Sequence, residues 1–182
     1  MARLPYLTAA DLAPEDRDLL ARGLNLYHEL VHSPKAARAF ATPALYVRHD
    51  SPLDPRLREL AIVQVGYVTR AEYEYAHHIE IARGVGVTDD DIRAVALETA
   101  GATSALGTIE RAVLSAAREI VDRPKISDET FAILSEHLDE QCIVDLVLAI
   151  SFYCAVVRVL GVLEIDLEDS YKHYLVEFPL PD

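Results

Sequence analysis

Cysteine is scarce in this sequence, which contains only Cys142 and Cys154. They are 12 positions apart, which is about 18 Å of rise along a helix and too far for a disulfide bond. We therefore interpret both as reduced core thiols, as is typical of a cytoplasmic protein. Their spacing also excludes a C-x-x-C redox motif, because such a motif needs two cysteines in neighbouring turns of the chain.

Basic residues are also few. The chain has 17 lysines and arginines against 30 aspartates and glutamates, and its formal net charge is −13. An acidic surface repels phosphate backbones and anionic lipid head groups, so we expect neither a nucleic-acid partner nor a peripheral membrane partner. The N-terminal region has no apolar run as long as that of a signal peptide, and we therefore expect a cytoplasmic location.

The longest apolar segment, residues 142–163, is interrupted by Asp145 and Arg158. A membrane-spanning helix needs about 20 apolar residues with few charges, so the pattern favours a core helix. Because this helix is apolar on nearly all sides, it needs burial on more than one side, which indicates a homo-oligomer. We interpret Asp145 and Arg158 as an interhelix or intersubunit pair, with Arg158 alternatively holding a substrate carboxylate.

The remaining chain also has the periodicity of helices, and no alternating strand pattern is longer than a few residues. Proline and capping residues mark several helix starts, and no linker is long enough to separate two domains. We predict an all-α protein with a single domain over residues 1–182 and about eight helices. The predicted helices are approximately 14–32, 34–47, 55–70, 72–83, 88–99, 108–121, 128–137 and 142–163, followed by an extended tail.

The densest polar group lies on the third and fourth predicted helices. Glu74 and His78 are four positions apart and share a helix face, and an antiparallel third helix could bring Glu59 to them. A buried carboxylate has a raised pKa, and a neighbouring histidine can hold or pass a proton, which is the arrangement of general acid–base chemistry. Spacing alone favours the simpler interpretation, a solvated Glu–His pair with Glu59 at the surface.

Three segments together resemble the signature of the carboxymuconolactone decarboxylase/AhpD-like family. They are Arg58–Val63, Tyr73–His78 and Gly84–Ile92, which are similar to the family's R-E-hydrophobic, Y-E-W-x-x-H and G-V-[ST]-x-x-x-I patterns. Tyr75 replaces the usual tryptophan, and the similarity covers approximately residues 40–100. The resemblance implies an all-α, oligomeric AhpD-like fold with a pocket between the third and fourth helices, near the last long helix.

The redox branch of this family has a C-x-x-C pair before its histidine and a glutamate on the preceding helix. Counted from His78, the glutamate corresponds to Glu59, and the two cysteine positions fall on Ala71 and Glu74. Neither is cysteine, so the resemblance does not imply peroxidase activity here. It favours a decarboxylase-like enzyme, independent of metals and cofactors, that acts on a small carboxylated lactone or keto acid. Its implied catalytic residues are Glu59, Glu74, His78 and Tyr73, and Glu74 or His78 protonates the carbon that loses carbon dioxide.

Two other interpretations remain open. Glu29-x-x-His32 and Glu74-x-x-His77 are two E-x-x-H motifs, which ferritin-like di-iron proteins use together with two further glutamates. Their order along this chain differs from the di-iron arrangement, since no lone glutamate helix precedes the first motif. The second alternative is a ligand-binding or structural oligomer that has kept the fold and lost the activity.

Overall fold

The computed structural model describes residues 2–181, and these residues form nine α-helices and no β-strand. The prediction of an all-α protein is therefore confirmed for the described part of the chain. Two short 3-10 segments, Pro14–Leu20 and Asp169–Tyr171, and one π-helical turn, Tyr46–Asp50, lie between the helices. The helices are α1 (Asn25–Leu30), α2 (Pro34–Leu45), α3 (Pro55–Val68), α4 (Glu72–Gly84), α5 (Asp89–Thr99), α6 (Thr108–Asp122), α7 (Asp128–His137), α8 (Glu140–Leu163) and α9 (Lys172–Glu177).

Most helix starts agree with the capping residues in the sequence. The side chain of Asp54 accepts a hydrogen bond from the backbone N–H of Arg56, and that of Ser127 accepts one from Thr130. Thr88 and Asp91 form a reciprocal capping box at the start of α5. These contacts satisfy backbone donors that a helix start leaves without partners.

The predicted helix over residues 14–32 is wrong, because this region contains a 3-10 segment followed by the separate helix α1. Gly23 lies between them with a φ of +64°, a left-handed conformation that ends regular helix geometry. The prediction gave no helix after residue 163 and therefore missed α9, which ends before the extended tail predicted for residues 178–181. The tail after α9, from Phe178 onwards, is extended or irregular as expected.

Helix α3 is the central element of the fold. All residues from Leu57 to Tyr67 are buried, and the helix contacts α4, α5, α6 and α8. Polar side chains at Arg58, Glu59 and Gln64 are buried with it. A buried polar group needs hydrogen-bond partners, and those of Arg58 and Glu59 come partly from the neighbouring helix α4 and from the π-helical turn Tyr46–Asp50.

A close approach between α3 and α4 is possible because residue 66 is glycine. A Cβ atom at Gly66 would lie 3.0 Å from both the Cα and the backbone N of Tyr75. Gly66 is seven positions, or two helical turns, after Glu59, so both face α4. A connection of only residues 69–71 joins the two helices, and Arg70 in it adopts a left-handed φ of 53°. The short connection makes α3 and α4 neighbours, and the glycine sets how near they come.

Helix α8 is buried on one side and leaves an apolar face exposed. Val144 and Val162 are 64% and 62% exposed, and Val147 and Leu148 are also solvent-accessible. Among the described residues, α8 alone is long and apolar enough to cross a membrane by length and composition, and 44% of its most apolar window is buried in the fold. This burial against α3 and α6 is typical of a core helix. The homo-oligomer stays a prediction.

We expect the substitution Gly66→Ala to lower the free energy of unfolding by about 1–3 kcal/mol, because the added methyl group overlaps backbone atoms of Tyr75 that cannot rotate away. Denaturant unfolding followed by circular dichroism measures the change. The control is Gly84→Ala, since a Cβ there meets no atom within 4 Å. Equal stability of Gly66→Ala and the wild type would show that α3 and α4 are less tightly packed than described.

Candidate functional site

Helix α3 places the carboxylate of Glu59 inside the protein, where its side chain is 0% exposed. One oxygen, Oε1, accepts a hydrogen bond of 2.9 Å from Nε of Arg58. The other, Oε2, lies 2.6 Å from Nδ1 of His78 on α4. The guanidinium of Arg58 also donates to the carbonyl oxygen of Val47 at 3.2 Å. Both oxygens of Glu59 are therefore held by protein groups, one by Arg58 and the other by His78.

His78 lies between two carboxylates. Its second ring nitrogen, Nε2, is 2.8 Å from Oε1 of Glu74, one helical turn earlier on α4. That oxygen accepts no hydrogen bond of regular geometry, so the contact is a close ion pair whose orientation is not ideal. The ring of Tyr153 on α8 packs edge-on against the imidazole at 4.8 Å between ring centroids. Glu59 and Tyr153 therefore fix the ring from two sides.

The charges around His78 set its protonation state. Burial lowers the pKa of His78, but the negative charges of Glu59 and Glu74 outweigh burial and raise the pKa to about 9. Burial likewise raises the pKa of Glu59, and the positive charges of His78 and Arg58 outweigh it, so this pKa is lowered. At neutral pH the site therefore contains an imidazolium ion, with a proton available on Nε2.

Glu74 and His78 border a cleft, whereas Glu59 lies behind them. The empty space of the cleft, counted out to its mouth and including open solvent, is about 530 Å³. Most of its wall is apolar, and the polar groups are concentrated on α4 and at the mouth. The lining residues include Leu24, Leu26, Phe40, Arg48, Tyr73, Glu74, His77, His78, Ile81, Phe152, Tyr153 and Val156.

A second polar cluster joins α4 to the C-terminal segment. Tyr73 donates from its hydroxyl to Oε1 of Glu168 at 3.0 Å, and His77 Nε2 is 3.1 Å from Oε2 of the same carboxylate. The imidazole of His77 is stacked between the rings of Tyr73 and Tyr171, with centroid distances of 4.2 and 3.8 Å. Glu168 also accepts from the backbone N–H of Asn25 at 2.7 Å. This cluster holds the wall of the cleft, and it occupies the hydroxyl of Tyr73.

The structure brings three of the four predicted site residues into direct contact. Glu59, Glu74 and His78 are all buried, so the interpretation as a solvated surface pair is wrong. Tyr73 borders the same cleft with its ring, but its hydroxyl points to Glu168. The catalytic roles of the four residues stay predictions.

Sequence reasoning missed two other contributors to the site. Tyr153 was interpreted only as a core or interface aromatic, and Glu168 was not considered at all. Glu168 is 95 positions from Tyr73 along the chain, and no local pattern could have connected them.

The residues of the first E-x-x-H motif, which the di-iron alternative would use as metal ligands, make other contacts. Glu29 accepts from the backbone N–H of Leu4, and His32 donates to the carbonyl oxygen of Pro5. Within residues 2–181, no three or more histidine, cysteine, aspartate or glutamate side chains are grouped in a way that could hold a metal ion. The residues present therefore do not fit a di-iron centre.

Within residues 2–181 of a single chain, Asp145 and Arg158 do not pair with each other, and a pairing between subunits stays a prediction. Asp145 accepts hydrogen bonds from the hydroxyls of Tyr46 and Ser51 at 3.0 and 2.6 Å. Arg158 donates to the carbonyl oxygen of Cys154 on its own helix and borders a separate groove next to Ile120 and Ile126. Asp145 and Arg158 are both on α8, but a separation of 13 positions turns their side chains to different sides of the helix. Arg158 therefore does not line the cleft of this chain.

Comparison with protein families finds one similarity. Residues 34–119 match the model of the carboxymuconolactone decarboxylase family, over slightly less than half of the chain. The match is wider than the similarity seen in the sequence, which covered approximately residues 40–100, and it contains Glu59, Glu74 and His78. The comparison with curated proteins gave no match.

Solved structures show that this chain has the AhpD-like fold. An uncharacterized peroxidase-related protein from Ralstonia eutropha JMP134, described as an alkylhydroperoxidase AhpD core, has a TM-score of 0.81 at 19% identity, over 99% of this chain and 98% of that chain. A variant of the debrominase Bmp8 in complex with 2,3,4-tribromopyrrole has a TM-score of 0.79 at 18% identity, over 98% and 100%. A putative antioxidant defence protein AhpD from Agrobacterium tumefaciens has a TM-score of 0.68 at 20% identity, over 77% and 95%.

The raised pKa of His78 predicts how stability depends on pH. The folded pKa of about 9 exceeds the ordinary histidine pKa of 6.5, so the ion pairs of His78 stabilise the fold fully below about pH 6.5 and are lost as the pH rises through about 9. We expect the free energy of unfolding to fall between pH 6.5 and 10 by on the order of 3 kcal/mol more in the wild type than in His78→Gln. Denaturant unfolding at both pH values measures this difference. The His78→Gln variant corrects for the titration of lysines and tyrosines, which occurs in both proteins.

An NMR titration of the imidazole gives a direct check of the same prediction. In Glu59→Gln, the pKa of His78 should fall below the wild-type value, because burial remains while one negative charge is removed. A wild-type pKa below 6.5 would contradict the ion pair described here.

Proposed function

We propose that this protein is an acid–base enzyme, independent of metals and cofactors, that removes carbon dioxide from a small carboxylated lactone or keto acid. The observation that carries the proposal is the protonated imidazole of His78, held between the fully buried carboxylate of Glu59 and the carboxylate of Glu74 at the cleft. Such an arrangement delivers a proton to a ligand without a thiol, a metal or an organic cofactor.

Glu59 acts as a positioning residue, because it does not border the cleft. It binds Nδ1 of His78, so the mobile proton of the imidazolium is the one on Nε2. Arg58 holds the other oxygen of Glu59 and keeps this carboxylate ionised. Nε2 lies 2.8 Å from Oε1 of Glu74 in a close ion pair, and we assign to Glu74 the exchange of this proton with the ligand.

The proposed reaction breaks the bond between the carboxylate carbon and the adjacent carbon of the substrate. The bonding electron pair moves into a conjugated carbonyl group of the substrate, and neutral carbon dioxide leaves. Nε2 of His78 passes its proton to the carboxylate of Glu74, and Glu74 donates that proton to the carbon that carried the carboxylate. Water at the mouth of the cleft returns one proton to the site, so each turnover consumes one proton and releases one molecule of carbon dioxide.

Thiol chemistry receives no support from this chain. The positions that correspond to the redox cysteines are Ala71 and Glu74, and the two cysteines of the sequence, Cys142 and Cys154, are both on α8. Neither borders the cleft, and burial raises the pKa of both thiols, which makes them poor nucleophiles. The debrominase and the peroxidase-related proteins share the fold of this chain, but we do not carry their activities over to it.

The test is carbon dioxide release from a panel of carboxylated lactones and β-keto acids. We expect wild-type protein to release it from at least one member and Glu74→Gln to be slower by about 10²–10⁴-fold, because the amide cannot donate the proton. The matched control is Glu72→Gln, which removes the same charge from the exposed side of α4 and should leave the rate unchanged.

Two results would contradict the proposal. If Glu74→Gln releases carbon dioxide as fast as the wild type, Glu74 is not the acid. If the wild type binds members of the panel but releases no carbon dioxide from any, a ligand-binding oligomer of the same fold becomes the better account.

A further inference from the structure

Two arginines lie at the mouth of the cleft, and nothing in the proposed proton transfer uses them. We propose that Arg48 and Arg22 form a binding site for a carboxylate that stays on the substrate, so that the substrate enters with its reacting end directed towards Glu74. This inference rests on the proposed function for the identity of the reacting end. The binding site itself is argued from the arginines alone.

Neither arginine has an acidic partner within residues 2–181. Acidic residues outnumber basic ones in the sequence, and its formal charge is −13. Arg48 is half-buried, and Arg22 makes only a cation–π contact with the ring of Tyr27 at 5.7 Å. By contrast, six arginines of the chain form ion pairs with carboxylates: Arg3, Arg38, Arg56, Arg58, Arg83 and Arg93.

The two arginines line the boundary between the cleft and an outer vestibule. The inner cleft contains Glu74 and His78, and the vestibule, with an empty space of about 700 Å³, contains Glu80 and Tyr171. Both spaces share Arg22, Leu24, Arg48, His77 and Ile81. The inner cleft and the vestibule therefore adjoin at residues that include both arginines.

The charges at this boundary favour an anion. Two guanidinium groups outnumber the single carboxylate of Glu80 in the vestibule, although the protein as a whole repels anions. Guanidinium groups bind carboxylates through paired N–H donors in a fixed geometry, which gives orientation as well as attraction. Field lines concentrated at the mouth of an apolar cleft also raise the local concentration of an anionic ligand.

The chemistry of carbon dioxide release decides which carboxylate the arginines bind. The departing carboxylate becomes neutral, so an ion pair with it is stronger in the ground state than in the transition state and slows the reaction. An ion pair with a carboxylate that stays has the same strength throughout. The wall formed by Phe40, Phe152 and Val156 is apolar and carries no cation, and the imidazolium of His78 is already paired with two carboxylates.

Arg48 lies within the residues matched by the family model, whereas Arg22 lies before them. Arg22 belongs to the loop between the 3-10 segment and α1. A substrate-binding group supplied from outside the matched residues means that the N-terminal segment takes part in substrate selection. The acid–base residues, in contrast, come only from α3 and α4.

A binding experiment tests the site without any turnover. The probes are pentanoate and its neutral analogue pentanamide, which differ only in the charged group, and binding is followed through the NMR signals of the His78 imidazole. We expect the wild type to bind pentanoate about tenfold more tightly, which corresponds to about 1.4 kcal/mol. In the double variant Arg22→Gln/Arg48→Gln, we expect this preference to decrease by threefold or more. Arg17→Gln, an exposed arginine away from the cleft, is the control and should keep it.

A decrease of less than threefold in the double variant, or equal binding of the two probes by the wild type, would overturn the proposal. Thermal unfolding of each variant shows that the comparison is between folded proteins. The Glu74→Gln protein separates the two proposals, because it should be inactive and yet keep the wild-type preference for pentanoate. If the decarboxylation assay fails and this preference is present, the anion site stands and only the reaction is wrong.

Discussion

The contact between Glu59 and His78 is the interaction on which the site depends, and it exists because α3 is buried on all sides. A carboxylate on a helix that contacts α4, α5, α6 and α8 has no water to solvate it. Its charge is stabilised only by groups that the fold brings to it, which are Arg58 and the imidazole of His78. The imidazole is therefore held in one orientation and kept protonated. The position of Gly66, two turns further along α3, allows α4 to come near enough for this contact.

The buried charges balance one another. Arg58 and His78 are the cations, and Glu59 and Glu74 are the anions, so their charges cancel in the interior of a protein that is strongly acidic elsewhere. Removal of one member leaves an uncompensated charge in a low-dielectric environment, which costs about 3–5 kcal/mol in comparable buried pairs. A protein that needed only stability would gain more from apolar side chains at these positions. The retention of the charged group thus favours a chemical role for it.

The sequence predicted the helices and the acid–base group well. It did not predict the features that depend on contacts between residues far apart along the chain. Periodicity and capping residues such as Asp54 and Thr88 are local, so the starts of α3 and α5 could be read directly. Glu74 and His78 share a helix face by spacing alone, and only the family pattern indicated Glu59. The role of Glu168 depends on the return of the C-terminal segment across α4, which no local pattern encodes. The orientation of Arg158 depends on which side of α8 meets the rest of the protein.

The replacement of a cysteine by Glu74 changes what the same histidine can do. A thiol beside an imidazole gives up its proton and becomes a nucleophile, because an ion pair with the imidazolium stabilises the thiolate. A carboxylate in that place is a weak nucleophile, but it exchanges a proton with the imidazolium at 2.8 Å without forming a covalent bond. Glu59 and His78 therefore need no rearrangement to support either chemistry. In the proposed function, the residue at position 74 decides the chemistry. A cysteine there would support reactions at sulfur, whereas Glu74 delivers the proton of His78 to carbon.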